Sequence, residues 1–271
     1  MEEPVMLSIC IATFQRRESL ARLLNELLVT NHDVEICIVV DGSTDGTVAY
    51  LSALEDSRIK VVYQANAGRA SALKKAIDIA SGSYIVIFDD DDILSAEGLD
   101  IVLTDIKKHA DTAGAGFIYS LENGDENMVL GDEFPVSVSN FLELRADFKL
   151  KGDKKEVIRA SVLKAAVASY ELADRRIPTS LFWSTIALHH NVVCRNVTIG
   201  KKYYLSGGLT NNIKSIKFSN PKPMIRLNAV KIKGFFMRRY KSLLYFVKAC
   251  LSWLFYSCVY GLQRVRNHRK S

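Results

Sequence analysis

Tyr84-Ile85-Val86-Ile87-Phe88 runs directly into Asp89-Asp90-Asp91-Asp92, five apolar residues followed by four carboxylates. A short, continuous apolar run stopped by a polar cluster is the pattern of a strand buried on both faces of a parallel sheet. Working back toward the N-terminus, the same pattern recurs. Ile59–Tyr63 precedes a helical stretch at 70–80 that keeps Leu73, Ala76, Ile77 and Ala80 on one side. Val34–Val40 (VEICIVV) stops at Asp41-Gly42-Ser43 and precedes a helix over roughly 45–53. Val5–Ala12 precedes residues 17–28, where Leu20, Leu23, Leu24, Leu27 and Leu28 share a helical face. Repeated strand–helix units with right-handed crossovers predict an α/β fold on a parallel sheet.

Ligands of such sheets bind beyond the carboxyl ends of the strands. Those ends carry Thr13, Asp41, Asn66 and the Asp89–Asp92 run, so polar groups from four loops are expected along one edge. Beyond residue 100 the regular alternation fades. A helix is expected over 99–109, strands at 116–120 and 128–130 around an Asn123-Gly124 turn, and an ordered stretch at 154–159. These should extend the sheet and cover the site. Residues 211–223, polar with two prolines, read as a linker, and 224–270 as two helices.

The 271 residues carry a net charge of +6, but all 30 Asp and Glu lie before residue 175. The last 97 residues hold 19 Lys and Arg and no acid, which points to a polyanion or an anionic lipid surface. Five cysteines, widely spaced, mostly within apolar runs and without a CxxC pair, read as buried reduced thiols. The acidic start Met1-Glu2-Glu3-Pro4 lacks the basic flank of a signal peptide, so cytoplasmic residence is expected.

Four adjacent carboxylates repel one another unless a cation neutralises them, and hard oxygen donors suit Mg2+ or Mn2+. Asp41-Gly42-Ser43-Thr44-Asp45-Gly46-Thr47 and Asn66-Ala67-Gly68-Arg69 each end a strand and open a helix, where backbone N–H groups favour a phosphate. Either loop alone would read equally well as a turn.

Taken in order, Ile11-Ala12-Thr13-Phe14-Gln15-Arg16, Val40-Asp41-Gly42-Ser43-Thr44-Asp45-Gly46-Thr47, Asn66-Ala67-Gly68 with Ala80-Ser81-Gly82-Ser83-Tyr84-Ile85, and Phe88-Asp89-Asp90-Asp91-Asp92 resemble family 2 glycosyltransferases of the GT-A fold. The resemblance implies a nucleoside diphosphate sugar donor, UDP-linked in the first instance, and a divalent metal at a D-x-D motif, Asp89-Asp90-Asp91. It carries the metal to Asp91, the ribose or the metal shell to Asp89, the nucleobase to Asp41, and the nucleotide to Thr13. Arg16 and Arg69 fall to the base or diphosphate, and Asn66 and Asp90 complete the donor side. It further implies inversion at the anomeric carbon.

A narrower likeness covers Gly152–Arg159, Ile177–Trp183 and Tyr204–Thr210 and resembles bacterial members that build surface polysaccharides, including O-antigen, capsule and lipopolysaccharide. The glutamate those relatives carry after their Ile-Pro pair is Thr179 here, and a threonine is no general base at neutral pH. Asp174 is then the first candidate for the base, Asp153 and Glu156 the next. Trp183 reads equally as core or acceptor wall.

The division expected is a catalytic domain over 1–210 (donor half 1–100, acceptor-side half 101–210), a linker over 211–223, and basic amphipathic helices over 224–271. Leu243–Leu262 carries only Lys248 as a charge and is long enough to span a bilayer. Its flanking cations and its Trp253, Tyr245, Tyr256 and Tyr260 favour a helix lying on an anionic leaflet. The enzyme would sit on the inner face of the cytoplasmic membrane and use a lipid-linked glycan acceptor. A true span and an ordinary dimerisation or core helix are the competing readings, and nucleic acid is disfavoured because no recognised module accompanies the charge. The competing activities are sugar nucleotidyl transfer, which wants a Gly-rich loop that Thr13-Phe14-Gln15-Arg16-Arg17 lacks, and a non-catalytic scaffold.

Overall fold

The computed structural model describes residues 6–170, 177–203 and 218–268. Its first part follows the strand–helix alternation: β1 (Leu7–Thr13), α1 (Arg17–Leu28), β2 (Val34–Asp41), α2 (Thr47–Ser52), β3 (Ile59–Gln64), α3 (Arg69–Ile79) and β4 (Tyr84–Asp89). These strands pair in parallel in the order β3-β2-β1-β4. The order reverses direction at β1, so the carboxyl ends of β1 and β4 flank the topological switch point where such sheets bind ligands.

Every residue of β2 is buried, and its side chains alternate between two cores. Cys37 and Val39 join Cys10, Ile85 and Ile87 against α3, while Ile36, Ile38 and Val40 join Ile9, Ile11, Val86 and Phe88 against α1. Cover on both faces explains why the run is apolar without alternation.

Beyond β4 the sheet becomes mixed. β5 (Ile93–Leu94), α4 (Ala96–His109), β6 (Gly116–Asn123), β7 (Val138–Ser139), α5 (Phe141–Ala146), β8 (Lys154–Arg159), α6 (Ala160–Ala168), α7 (Thr179–Ala187) and β9 (Val192–Lys202) follow in sequence. The sheet continues β4-β8-β6-β9-β5, with β8 antiparallel to both neighbours and β7 paired to β9. Residues 128–130 form no strand; Val129 makes only an isolated bridge to Glu122. The helix expected from residue 99 starts at Ala96, because the Ser95 side chain caps it by accepting from Gly98 N at 3.0 Å.

The chain ends in α8 (Pro221–Phe236) and α9 (Leu243–His268). Residues 221–223, read as linker, form the first turn of α8, where proline is well tolerated because its missing N–H would have no helical partner. Met224, Leu227 and Tyr240 are buried in the core that also holds α7. Asp147 receives the backbone N–H of Lys241 at 2.8 Å and of Ser242 at 2.7 Å, and Asn140 donates to Arg239 O at 3.0 Å. The helical pair is therefore seated on the α/β body.

Candidate active site

Each parallel strand delivers its last residue to one edge. Thr13, Asp41 and Asp90 are buried there, while Asp89 and Asp91 keep some exposure. The Thr13 hydroxyl donates to Asp90 Oδ2 at 2.7 Å. Arg16, just before α1, reaches Asp90 Oδ1 at 2.9 Å and Asp91 Oδ2 at 2.7 Å, and Arg69, the first residue of α3, pairs with Asp89.

Asp41 turns toward the loop after β3. Its carboxylate accepts from Ala67 N at 2.8 Å, Gly68 N at 2.9 Å and Gln64 Nε2 at 2.6 Å. The carboxylate thus shapes the loop that carries Asn66, itself exposed, and Arg69. Gly42 lets that loop approach: its φ is +76°, and a Cβ there would stand 2.8 Å from Asn66 N. The first and second loops are also laced together. Gln15 N donates to Ser43 Oγ at 3.0 Å, Thr44 N to Gln15 Oε1 at 3.1 Å, and Arg17 N to Asp45 Oδ2 at 2.9 Å.

Two cations arrive from the second half of the chain. Lys155 on β8 sits 3.2 Å from Asp92 Oδ2 and 4.1 Å from the centroid of the Phe88 ring. Lys202, the last residue of β9, stands 3.6 to 3.9 Å from Asp89, Asp92 and Asp153. Neither was visible as a site cation in the sequence. The only hint was a Lys at a strand end, and pairing over more than 60 residues is not a local pattern. Asp153 just precedes β8 at this same edge. Asp174 lies outside the described residues.

Electrostatics divide the acidic run. Burial opposes ionisation of Asp89, but the charges of Arg69, Lys155 and Lys202 overcome it and hold the group far below the usual carboxylate range. Burial pushes Asp90 up to about 6 despite the hydrogen bonds from Thr13 and Arg16. Asp92 is likewise raised by burial, and its Oδ1 is buried without a hydrogen-bond partner among the described residues. Glu156, on β8, is pushed up to about 7, again by burial, with Lys155 and Arg145 only partly offsetting it. Its side chain shares a face with Ile158 two residues on, the face turned toward α6 and the core that also holds α7.

Among the described residues no group of three or more His, Cys, Asp or Glu is arranged to hold a metal ion. The donor set nevertheless suits a hard cation: Asp89 and Asp91 offer oxygen only, and Mg2+ or Mn2+ takes one or two carboxylates and fills its shell with water and phosphate oxygens. Five carboxylates, Asp89–Asp92 and Asp153, stand at this edge with the four cations Arg16, Arg69, Lys155 and Lys202, and Asp92 Oδ1 is left without a hydrogen-bond donor among the described residues.

Two family motifs fall away from this edge. Ala80-Ser81-Gly82-Ser83 lies at the opposite end of the sheet, where Ser81 and Ser8 donate to the buried Glu35 at 2.6 to 2.8 Å. Trp183 is core, with its ring 5.7 Å from that of Phe141.

The profile of the family described as Glycosyl transferase family 2 matches residues 8–164, which contain β1 to β8 and every donor-side residue above. Glycosyltransferase GlyG of Streptococcus pneumoniae serotype 4 is 28% identical over 138 residues, 48% of this chain and 46% of that protein. The chain spans less than half the length of the curated relatives it matches. Among solved structures, S. aureus TarS 1–349 in complex with UDP superposes with a TM-score of 0.66 at 18% identity, covering 84% of this chain and 65% of that one. The mannosyltransferase PcManGT from Pyrobaculum calidifontis, in complex with GDP-Man and Mn2+, gives 0.52 at 14% identity over 97% and 76%. With a sheet that reverses at β1, an aspartate run at the switch point and a family profile covering more than half its length, the chain belongs to glycosyltransferase family 2.

Proposed function

We propose that the protein transfers a sugar, with inversion, from a nucleoside diphosphate sugar to a hydroxyl of a lipid-linked glycan in bacterial surface polysaccharide synthesis. The observation that carries this reading is the Asp89–Asp91 run at the switch point, bracketed by Arg16, Arg69 and Lys202. Carboxylates for a divalent cation and guanidinium groups for a diphosphate stand there within one loop cluster. TarS with UDP, and PcManGT with GDP-Man and Mn2+, support a nucleotide-sugar donor on this fold. A UDP-sugar donor and Mn2+ or Mg2+ are the working assignment.

Asp89 and Asp91 would hold the metal, which supplies Lewis-acid stabilisation of the charge on the departing diphosphate. Arg16 and Arg69 take the remaining phosphate charge, and Thr13 and the loop ordered by Asp41 seat the nucleoside. The acceptor oxygen attacks the anomeric carbon, the bond from that carbon to the diphosphate oxygen breaks, and the hydroxyl proton passes to a carboxylate on the acceptor side. Asp174 and Asp153 are candidates for that carboxylate. Glu156 is favoured, because a base held near neutrality is matched to the task and its face of β8 lies on the side of the sheet whose core holds α7, whose first residue is Thr179.

The test is a panel of nucleoside diphosphate sugars with Mn2+. Slow release of one diphosphate, abolished by chelation, supports the transferase; no binding of any donor favours a non-catalytic scaffold and overturns it. The C-terminal helices are read as holding the enzyme at the cytoplasmic face, where a lipid-linked acceptor resides.

A further inference from the structure

α9 contains 23 residues, Leu243 to Val265, long and apolar enough to cross a membrane. One side of it is nevertheless committed to protein. Phe246 stacks on Phe235 with ring centroids 4.3 Å apart, Tyr245 meets Tyr240 edge-on at 5.3 Å, and Ala249 and Val259 are buried. A spanning helix would surrender these contacts and expose the aromatic side of α8.

The opposite side is bare. Leu244, Val247, Leu251, Leu254, Leu262 and Val265 fall on one helical face and are 42 to 72% exposed, and Phe236, the last residue of α8, is exposed beside Phe246. A continuous exposed apolar face of this kind marks an interaction surface. Exposed Lys233, Arg238, Lys241, Lys248 and Arg264 accompany it.

Two occupants fit an apolar face, a second copy or a lipid surface, and the charges discriminate between them. A two-fold dimer would set this patch against itself. Its basic residues would then meet one another, and neither α8 nor α9 holds an acid to pair with them. An anionic bilayer accepts the apolar residues and supplies the missing negative charge. We propose that α9 lies in the plane of the membrane interface, docked on α8 by its inner side, with Leu244, Leu251 and Leu254 inserted among lipids and the lysines and arginines on anionic headgroups. This deepens the lipid-linked acceptor reading above. It is tested without donor or acceptor, so the two can fail separately.

The full chain is to be sedimented with vesicles of phosphatidylcholine, with and without phosphatidylglycerol. Binding stronger on the anionic vesicles by about tenfold or more, and weakened by salt, is expected from several basic side chains near the surface. Leu251→Glu with Leu254→Glu, both at exposed positions, should abolish it while donor hydrolysis persists. Depth separates lying from spanning: in a Leu251→Trp, Trp253→Phe variant, lipids brominated near the headgroup should quench more than lipids brominated near the chain ends. Stronger quenching by the deep label would mean a span and overturn the in-plane placement. Equal binding to neutral vesicles would overturn the charge argument. Absence of binding, with either a monomer or a dimer that the double Glu variant dissociates, would overturn membrane docking.

Discussion

The hydroxyl of Thr13 donates to Asp90 Oδ2 across 2.7 Å and ties the end of β1 to the loop after β4. This bond spans the switch point and turns the middle carboxylate of Asp89-Asp90-Asp91 inward, where it is buried, while its two neighbours keep exposure. One acidic run is therefore divided: Asp90 holds the loop, and Asp89 and Asp91 are the members that keep exposure.

That division predicts unequal variants. Asp90→Asn keeps an acceptor for Thr13 and should retain activity within roughly tenfold of the parent. Asp91→Ala should lower transfer by on the order of 10²-fold or more, as loss of a charge-stabilising group does. Calorimetric titration of UDP with and without Mn2+ checks it; metal-dependent binding undiminished in Asp91→Ala would remove Asp91 from the metal site.

Glu156 provides a pH signature. If it is the base, Glu156→Gln should reduce kcat by about 10² to 10⁴-fold and leave the donor KM nearly unchanged, and the limb of the parent profile that rises through about pH 7 should vanish. A stability readout accompanies it. Burial raises the folded-state value above the ordinary ~4.3 of an unfolded Glu, so the folded protein binds more protons and loses stability as pH rises from that value to about 7. The Gln variant should melt higher than the parent at pH 8 and equally at pH 4. Full activity in Glu156→Gln, with loss in Asp153→Asn or Asp174→Asn, would transfer the role.

Gly42 tests the donor loop. With φ at +76° and Asn66 N in the space of a Cβ, Gly42→Ala should cost about 1–3 kcal/mol of stability and raise the donor KM, because the backbone after β3 must retreat. Thermal melts and initial rates against donor concentration are the measurements; a variant unchanged in both would mean that the loop relaxes freely.

Glu35 governs the other end of the sheet. Burial alone would raise it, but hydrogen bonds from Lys60, Ser8 and Ser81 outweigh that and lower it to about 2. The stability it contributes is complete above its unfolded value, ~4.3, and is lost as pH falls toward 2. Glu35→Gln should cost about 2 kcal/mol at pH 7 and flatten the acid limb of the stability curve. An unchanged acid midpoint would show that other carboxylates control it.

Local pattern carried much of this protein. The runs 34–40 and 84–88 could be placed as central strands because burial on both faces demands uninterrupted apolar residues, and α1 could be placed because its leucines repeat at helical spacing. Strand ends then located Thr13, Asp41 and the aspartate run along one edge, since in a parallel sheet all carboxyl ends lie together. The apolar yet basic tail was legible as two helices from its pattern.

Tertiary structure decided what depends on pairing between distant residues. Antiparallel β8 enters beside β4 and brings Lys155 to Asp92 and Asp153 to the edge; β9 ends at Lys202 beside Asp89. Nothing in the residues around a lysine states which strand its own will join. Asp41 looked like a ligand group from its place at a strand end, and only the fold showed its carboxylate receiving the N–H groups of Ala67 and Gly68. The apolar run 243–262 does not by itself say which side of α9 a neighbour will cover. Packing on α8 through Phe235 and Phe246 consumed one and left the other open, because a helix covers only the face that a neighbour can reach.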